Sequence, residues 1–260
     1  MGIIKNNKNI VAIYRGDKKI TSVFKNNLKI FEINDEPVVF DNIITAKIKT
    51  TSNNQSKKLT NRKQYFDSIK LENNTELITS GNGSLNYTFP TSGTHIITYK
   101  VKNDITDINS MFNGCSNIIE IDASKLDTSK VTNMNNVFDN CSSLYKLDIS
   151  TWDTSQVTQI SGMFGSCSSM IELNLSNFNT ENLTSIVYTF YGCSNLEYLD
   201  VSGWNVEKLI YFNSPFNFCD KLNHIKCTQA FKDWCLTNQD SIKLPTSMRE
   251  GGGGTWEIVE

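Results

Sequence analysis

Apolar residues in the second half of the chain recur on a period of 26. Phe112, Phe138, Phe164, Phe190 and Phe216 mark it, and Cys115, Cys141, Cys167, Cys193 and Cys219 follow each of them three positions later. Three residues beyond each cysteine stands Ile118, Leu144, Met170, Leu196 or Leu222. Three further on comes Ile121, Leu147, Leu173, Leu199 or Ile225, and two more bring Ala123, Ile149, Leu175, Val201 or Cys227. The alternation in "LYKLDIS" and "LEYLDVS" predicts a short strand with one buried face. The other half of each unit reads differently. Val131, Met134, Val137, Phe138 and Cys141 fall at helical spacing, as do Val157, Ile160, Met163, Phe164 and Cys167, which predicts a short helix. Asp127 and Asp153, replaced by Asn179 and Asn205 in later copies, stand where such a helix would take its N-cap.

The expected architecture over residues 105–228 is therefore a leucine-rich-repeat solenoid, with a short strand plus a short helix per 26-residue turn. Equivalent residues then stack about 4.8 Å apart, and the phenylalanines and cysteines become internal ladders. Five thiols on a core stripe read as small hydrophobes. A nucleophile is needed once, beside a base, and zinc takes paired spacings such as C-x-x-C.

The flanks carry a β pattern. In residues 9–33, short apolar runs alternate with the turn sequences "RGDKK" and "KNN", which predicts an N-terminal β-hairpin anchoring region over 1–36. The RGD at Arg15–Asp17 is read as a hairpin turn rather than a ligand motif. Residues 37–104 alternate strand-like runs with Asn/Gly/Ser turns. "YTFPTSGTHIITYKV" resembles the closing strands of PKD- or immunoglobulin-like modules, so a small Ig/PKD-like β-sandwich is expected there, capping one end of the solenoid. Residues 229–260 are expected to form a C-terminal cap helix at "TQAFKDWCLTNQ" and, after "GGGG", a tail strand "TWEIVE".

Charge follows the same modules. The net charge of −2 hides +3 over residues 1–36, +4 over 37–106, −7 over 107–227 and −2 over 228–260. No global excess points to nucleic acid, and a basic N-terminal part beside acidic repeats suits contacts between subunits. No run approaches a membrane span. The start of the chain lacks an apolar h-region, so export is not expected and the thiols are expected to stay reduced.

The strand face offers the candidate binding residues Glu120, Asp122, Lys146, Asp148, Glu172, Asn174, Tyr198, Asp200, His224 and Lys226. Asp122, Asp148, Asn174 and Asp200 form one column. Its self-repulsion can be relieved by serine hydroxyls, a basic partner or Ca²⁺. The solvated hydrogen-bonded ladder is the preferred reading, and no cofactor or metal is otherwise expected. Tyr145, Trp152, Tyr198 and Trp204 could stack on sugar rings, but Trp152 and Trp204 share a repeat slot with Leu126 and Phe178, which suits packing better. Neither of the two histidines, His95 and His224, belongs to a catalytic motif, so no catalytic residue is assigned.

"MFNGCSNIIEIDASKLDTSKVTNM" and "MFGSCSSMIELNLSNFNTENLTSI" resemble the BspA-type leucine-rich repeats of bacterial surface proteins and mycoplasma lipoproteins. The likeness covers roughly residues 105–228 and implies adhesion to macromolecules without enzymatic activity. The N-terminal hairpins and overall layout are also similar, over about 30 residues, to accessory virion proteins of gut Bacteroidetes (crAss-like) phages. Together these imply a non-enzymatic virion-associated fibre or decoration protein, held to other virion proteins through its N-terminal region. Its repeats would touch a host-surface or mucosal glycan or protein. A homo-oligomer without membrane insertion or nucleic-acid binding is expected. The alternative is a bacterial cell-surface adhesin.

Overall fold

The computed structural model describes residues 13–15, 18–25, 28–37, 41–77 and 80–259, the first three stretches through their strand pairing. The chain divides into two compact units, 1–40 and 41–260. In the first, β1 (Ile13–Arg15), β2 (Lys18–Lys25) and β3 (Leu28–Pro37) pair antiparallel in the order β1-β2-β3. The tip of the RGD turn lies outside the described residues.

In the second unit, β4 (Ile43–Thr50), β6 (Phe66–Leu71), β7 (Glu76–Leu77) and β9 (Gly93–Val101) do not close a sandwich of their own. With β10 (Ile118–Lys125) and β11 (Lys146–Asp148) they make one six-stranded mixed sheet, ordered β11-β10-β4-β9-β6-β7. β5 (Gln55–Thr60) and β8 (Leu85–Phe89) pair separately. The buried Tyr99 hydroxyl, on β9, donates to the Leu59 carbonyl on β5, 2.9 Å away. β4 runs antiparallel to β10, with Ala46 opposite Ile121. The expected small Ig/PKD-like β-sandwich capping the repeats is thus corrected: its central strands continue into the sheet of the first repeat. Phe66 and Tyr99 lie 6.2 and 5.3 Å from the ring of Phe112, so the two regions share one core.

The expected strand-plus-helix solenoid is also overturned. Strand makes up 31% of the structure and helix 7%. The α-helix among the described residues is α1 (Gln229–Thr237), which lies beyond the repeats and is capped by the Thr228 hydroxyl accepting from Phe231 N–H. The segments read as repeat helices are runs of tight turns. The backbone shows why. Ser110, Asn136, Gly162, Tyr188 and Ser214 all have φ between 53° and 65°, and Gly114, Asn140, Ser166, Gly192 and Phe218 lie between 55° and 73°. A left-handed residue every four positions stops a helix from propagating. The amides that a helix would turn on its own i−4 carbonyls go sideways instead. Phe112 N–H donates to Val137 C=O and Phe138 N–H to Met163 C=O, both at 2.9 Å. The 3.6-residue periodicity was real, but it recorded which side chains point inward, not a helical backbone.

Asp127, Asp153, Asn179 and Asn205 accordingly cap turns rather than helices. Each side-chain oxygen accepts from the amide two residues on, at 2.8–3.0 Å. The next threonine ties the turn to its neighbour: Thr128, Thr154 and Thr180 donate to the carbonyls of Asp153, Asn179 and Asn205.

Candidate functional site

Each repeat strand is three to eight residues long, with alternate side chains turned out. β10 and β11 run parallel, placing Glu120 beside Lys146 and Asp122 beside Asp148. β12 (Glu172–Asn174), β13 (Tyr198–Asp200) and β14 (His224–Thr228) are parallel in turn. They align Glu172, Tyr198 and His224 in one row and Asn174, Asp200 and Lys226 in another. β11 and β12 edge different sheets. The ten candidate residues therefore fall into two groups rather than one unbroken face.

In the first group Glu120 is the centre. Its carboxylate lies 2.8 Å from Lys47 Nζ and 3.7 Å from Lys146 Nζ, and it accepts from the Tyr145 hydroxyl at 3.0 Å. The Lys47 hydrogen bond, helped by those from Tyr145 and the lysine charges, holds its carboxyl below the usual range despite partial desolvation. Lys47 comes from β4, outside the repeats. No spacing in the sequence marks it, because the β4–β10 pairing that delivers it joins segments about 70 residues apart.

The second group gains a row. β15 (Thr255–Val259) pairs parallel to β14, setting Thr255 beside His224 and Glu257 beside Lys226. Glu257 bridges Lys226 Nζ at 2.9 Å and His224 Nε2 at 3.3 Å. The Lys226 hydrogen bond holds the Glu257 carboxyl down and raises the Lys226 ammonium. The Tyr198 ring meets His224 edge-on, with centroids 4.8 Å apart. Glu257 was legible only in part. The alternation in "TWEIVE" puts Thr255, Glu257 and Val259 on one face, but does not say which strand they join.

The acidic column resolves into turn chemistry. Asp122 Oδ1 accepts from the Ser124 amide at 3.0 Å and its hydroxyl at 2.7 Å. Asp148 does the same with Ser150, at 3.1 and 2.7 Å, and Asn174 with Ser176, at 2.9 and 2.7 Å. Asp200 accepts from Ser202 N–H at 3.0 Å. Each bond stays within its own strand and turn, and Asn174 has the same geometry without a charge. Among the described residues, no three His, Cys, Asp or Glu side chains converge as a metal site.

The aromatic candidates separate. Trp152 and Trp204 are buried, and their indoles donate to Ala123 C=O at 3.1 Å and Leu175 C=O at 3.3 Å, one turn back. They are packing residues. Tyr145 is exposed and Tyr198 partly so. His95, on β9 of the six-stranded sheet, is buried, stacked on Phe89 with centroids 4.3 Å apart and bonded to Thr50.

The phenylalanine ladder is continuous. Successive rings from Phe112 to Phe216 are separated by 6.1, 5.8, 5.9 and 5.5 Å, tilted by no more than 18°. All seven cysteines are free and buried. Burial pushes the thiols of Cys115, Cys193 and Cys227 up to about 12, and it raises those of Cys141, Cys167, Cys219 and Cys235 as well. A thiol needs to ionise near neutral pH to act as a nucleophile, and these are held in the opposite state.

Residues 106–230 match the family described as "Mycoplasma protein of unknown function, DUF285". No curated protein matches the chain, and no solved structure does. The family match links the repeat region to repeat-bearing surface proteins.

Proposed function

We propose that this chain is a non-enzymatic recognition protein, a virion-associated fibre or decoration component whose repeats bind a host-surface or mucosal glycan or protein. The observation that carries this reading is the strand face. Two sets of parallel strands present charged and aromatic side chains: Glu120 and Lys146 in one register, and Tyr198, His224, Lys226 and Glu257 in the other. Such a surface offers complementary charge to a macromolecule. The three-stranded 1–40 unit serves as the anchor to other virion proteins, and fibre-like anchoring favours a homo-oligomer.

The test is retention of the purified chain on immobilised mucin and on intact bacterial cells. Reversing charge on the face, with Lys146→Glu and Lys226→Glu together, should lower retention. Equal retention of the charge-reversed protein would remove the strand face from the reading.

A cell-surface adhesin is the second reading, favoured by the match of residues 106–230 to a Mycoplasma family. Density-gradient sedimentation of the natural source lysate separates the two. Co-sedimentation with DNA-filled particles supports the virion, and sedimentation with membrane fragments supports the adhesin.

A further inference from the structure

The repeat turns share their buried Phe and Cys and vary around them, including at two positions three residues apart. The first, always in left-handed backbone, carries Ser110, Asn136, Gly162, Tyr188 and Ser214 in successive copies. The second, three residues on, carries Asn113, Asp139, Gly165, Tyr191 and Asn217. The third copy has glycine at both, and its neighbours border the gap from opposite sides. Asn136, Asp139 and Asn140 stand on one side and Tyr188 and Tyr191 on the other, around a notch of about 460 Å³. Both glycines keep it open. A Cβ at Gly165 would stand 2.6 Å from Asp139 Oδ1, and one at Gly162 would collide with the Asn136 amide oxygen.

The polar wall is pre-set. Asn113 and Asn140 each donate to Asp139 Oδ2 at 2.8 Å, fixing the carboxylate with Oδ1 toward the glycine floor. The aromatic wall is held at a conformational cost. Tyr188 sits at φ 56°, where the other turns use Ser, Asn or Gly. Phe218, at φ 62°, occupies a position that is otherwise Gly, Asn or Ser. Left-handed backbone is unfavourable for a bulky side chain, and such strain gathers at functional sites. Core burial does not offset it, since the two rings are 44% and 52% exposed. Both meet Tyr191 edge-on, at 5.4 and 5.2 Å between centroids. The chain thus keeps three aromatic rings clustered at the surface against its backbone preference.

We infer that this notch is a saccharide-binding site for a neutral pyranose. The sugar packs its C–H groups into the corner made by the Tyr188 and Tyr191 rings, and its hydroxyls bond Asp139, Asn136 and Asn140. An aromatic wall facing short amides and a carboxylate matches the two-sided chemistry of a sugar ring, and the volume suits one small ligand. The inference goes beyond the proposed function. The notch lies on the turns rather than the strand face, and it is read with free sugars rather than with mucin or cells, so either can fail without the other.

The test is saturation-transfer NMR and titration calorimetry of the full chain with neutral mono- and disaccharides at millimolar concentration. Two variants accompany it. Tyr188→Asn installs a residue suited to left-handed backbone, so the melting temperature should hold or rise while affinity falls at least ~10-fold. Gly165→Ala fills the floor and should abolish binding. The inference is overturned if no saccharide binds, if binding ignores both variants, or if a trimethylammonium ligand occupies the notch instead.

Discussion

The Cys141 thiol donates to the carbonyl oxygen of Phe112, 3.2 Å away in the preceding turn. The same bond recurs from Cys167 to Phe138, Cys193 to Phe164 and Cys219 to Phe190, at 3.0–3.2 Å. Each phenylalanine carbonyl already accepts the amide of the cysteine three residues on, so the thiol takes its second lone pair. Cysteine is small enough for the core and still brings a donor, which alanine and valine lack. Cys167→Ala should therefore lower the unfolding free energy by roughly 1–2 kcal/mol, combining a small cavity with a lost hydrogen bond. The thiol bonds begin at Cys141, so Cys115→Ala should cost less. Urea denaturation of the two variants checks the difference.

Burial of the thiols also makes stability depend on pH at the alkaline end. The folded values are raised, to about 12 for Cys115, Cys193 and Cys227, whereas an unfolded cysteine titrates near ~8.5. Above the unfolded value, the folded state binds more protons than the unfolded state, so stability falls as pH rises. The stabilisation is complete below about pH 8.5 and is lost progressively toward pH 12. The urea midpoint should hold between pH 7 and 8 and drop steeply by pH 10. A thiol reagent at pH 8 should find none of the seven cysteines in the native protein and all of them after denaturation. Rapid labelling of the native protein would contradict the buried ladder.

Phe164 lies in the middle of the ring stack, 5.8 Å from Phe138 and 5.9 Å from Phe190. Phe164→Ala removes a fully buried ring with neighbours on both sides and should cost about 3–5 kcal/mol. Stacked repeats depend on their nearest neighbours, so the loss should spread locally. Hydrogen exchange should show the amides of Met163, Phe164 and Phe138 opening before those of β4 and β9. Uniform loss of protection would mean that the whole unit unfolds as one.

The sequence made the inward-facing residues plain and left the backbone that carries them obscure. A 26-residue period with Phe, Cys and Leu at fixed offsets identifies the core, because burial acts on side chains. The same offsets could not distinguish a helix from a run of turns, because both bring every third or fourth residue inward. The distinguishing signal was present but weak: Asn136 and Gly162 fall at one repeat position, and Gly114, Asn140 and Gly192 at another, and these residue types tolerate left-handed backbone. Tyr188 and Phe218 break that rule, which masked it. The outward positions of the repeat strands could be read from their alternation, but that Lys47 and Glu257 join them could not, since each arrives through a pairing between distant segments. The notch was missed because it is made by what one repeat lacks, and a search for chemical groups passes over Gly162 and Gly165.

Those distant partners give the last prediction. Glu120 and Glu257 are each held below the ordinary value of 4.5 by a lysine, Lys47 in one case and Lys226 in the other. A depressed carboxyl contributes stability above its unfolded value and loses it as pH falls through the folded one. Carbon-detected NMR titration should place both carboxyls below the exposed glutamates. Lys226→Ala should return Glu257 toward 4.5 and leave Glu120 where it was, because the two groups lie on different sheets. Lys47→Ala should do the reverse, and more weakly, since Tyr145 and Lys146 still face Glu120. Both pairs are only partly buried, so raising the salt concentration should shrink both shifts. A Glu120 carboxyl that ignored Lys47→Ala would show that β4 does not lie beside the first repeat strand in solution.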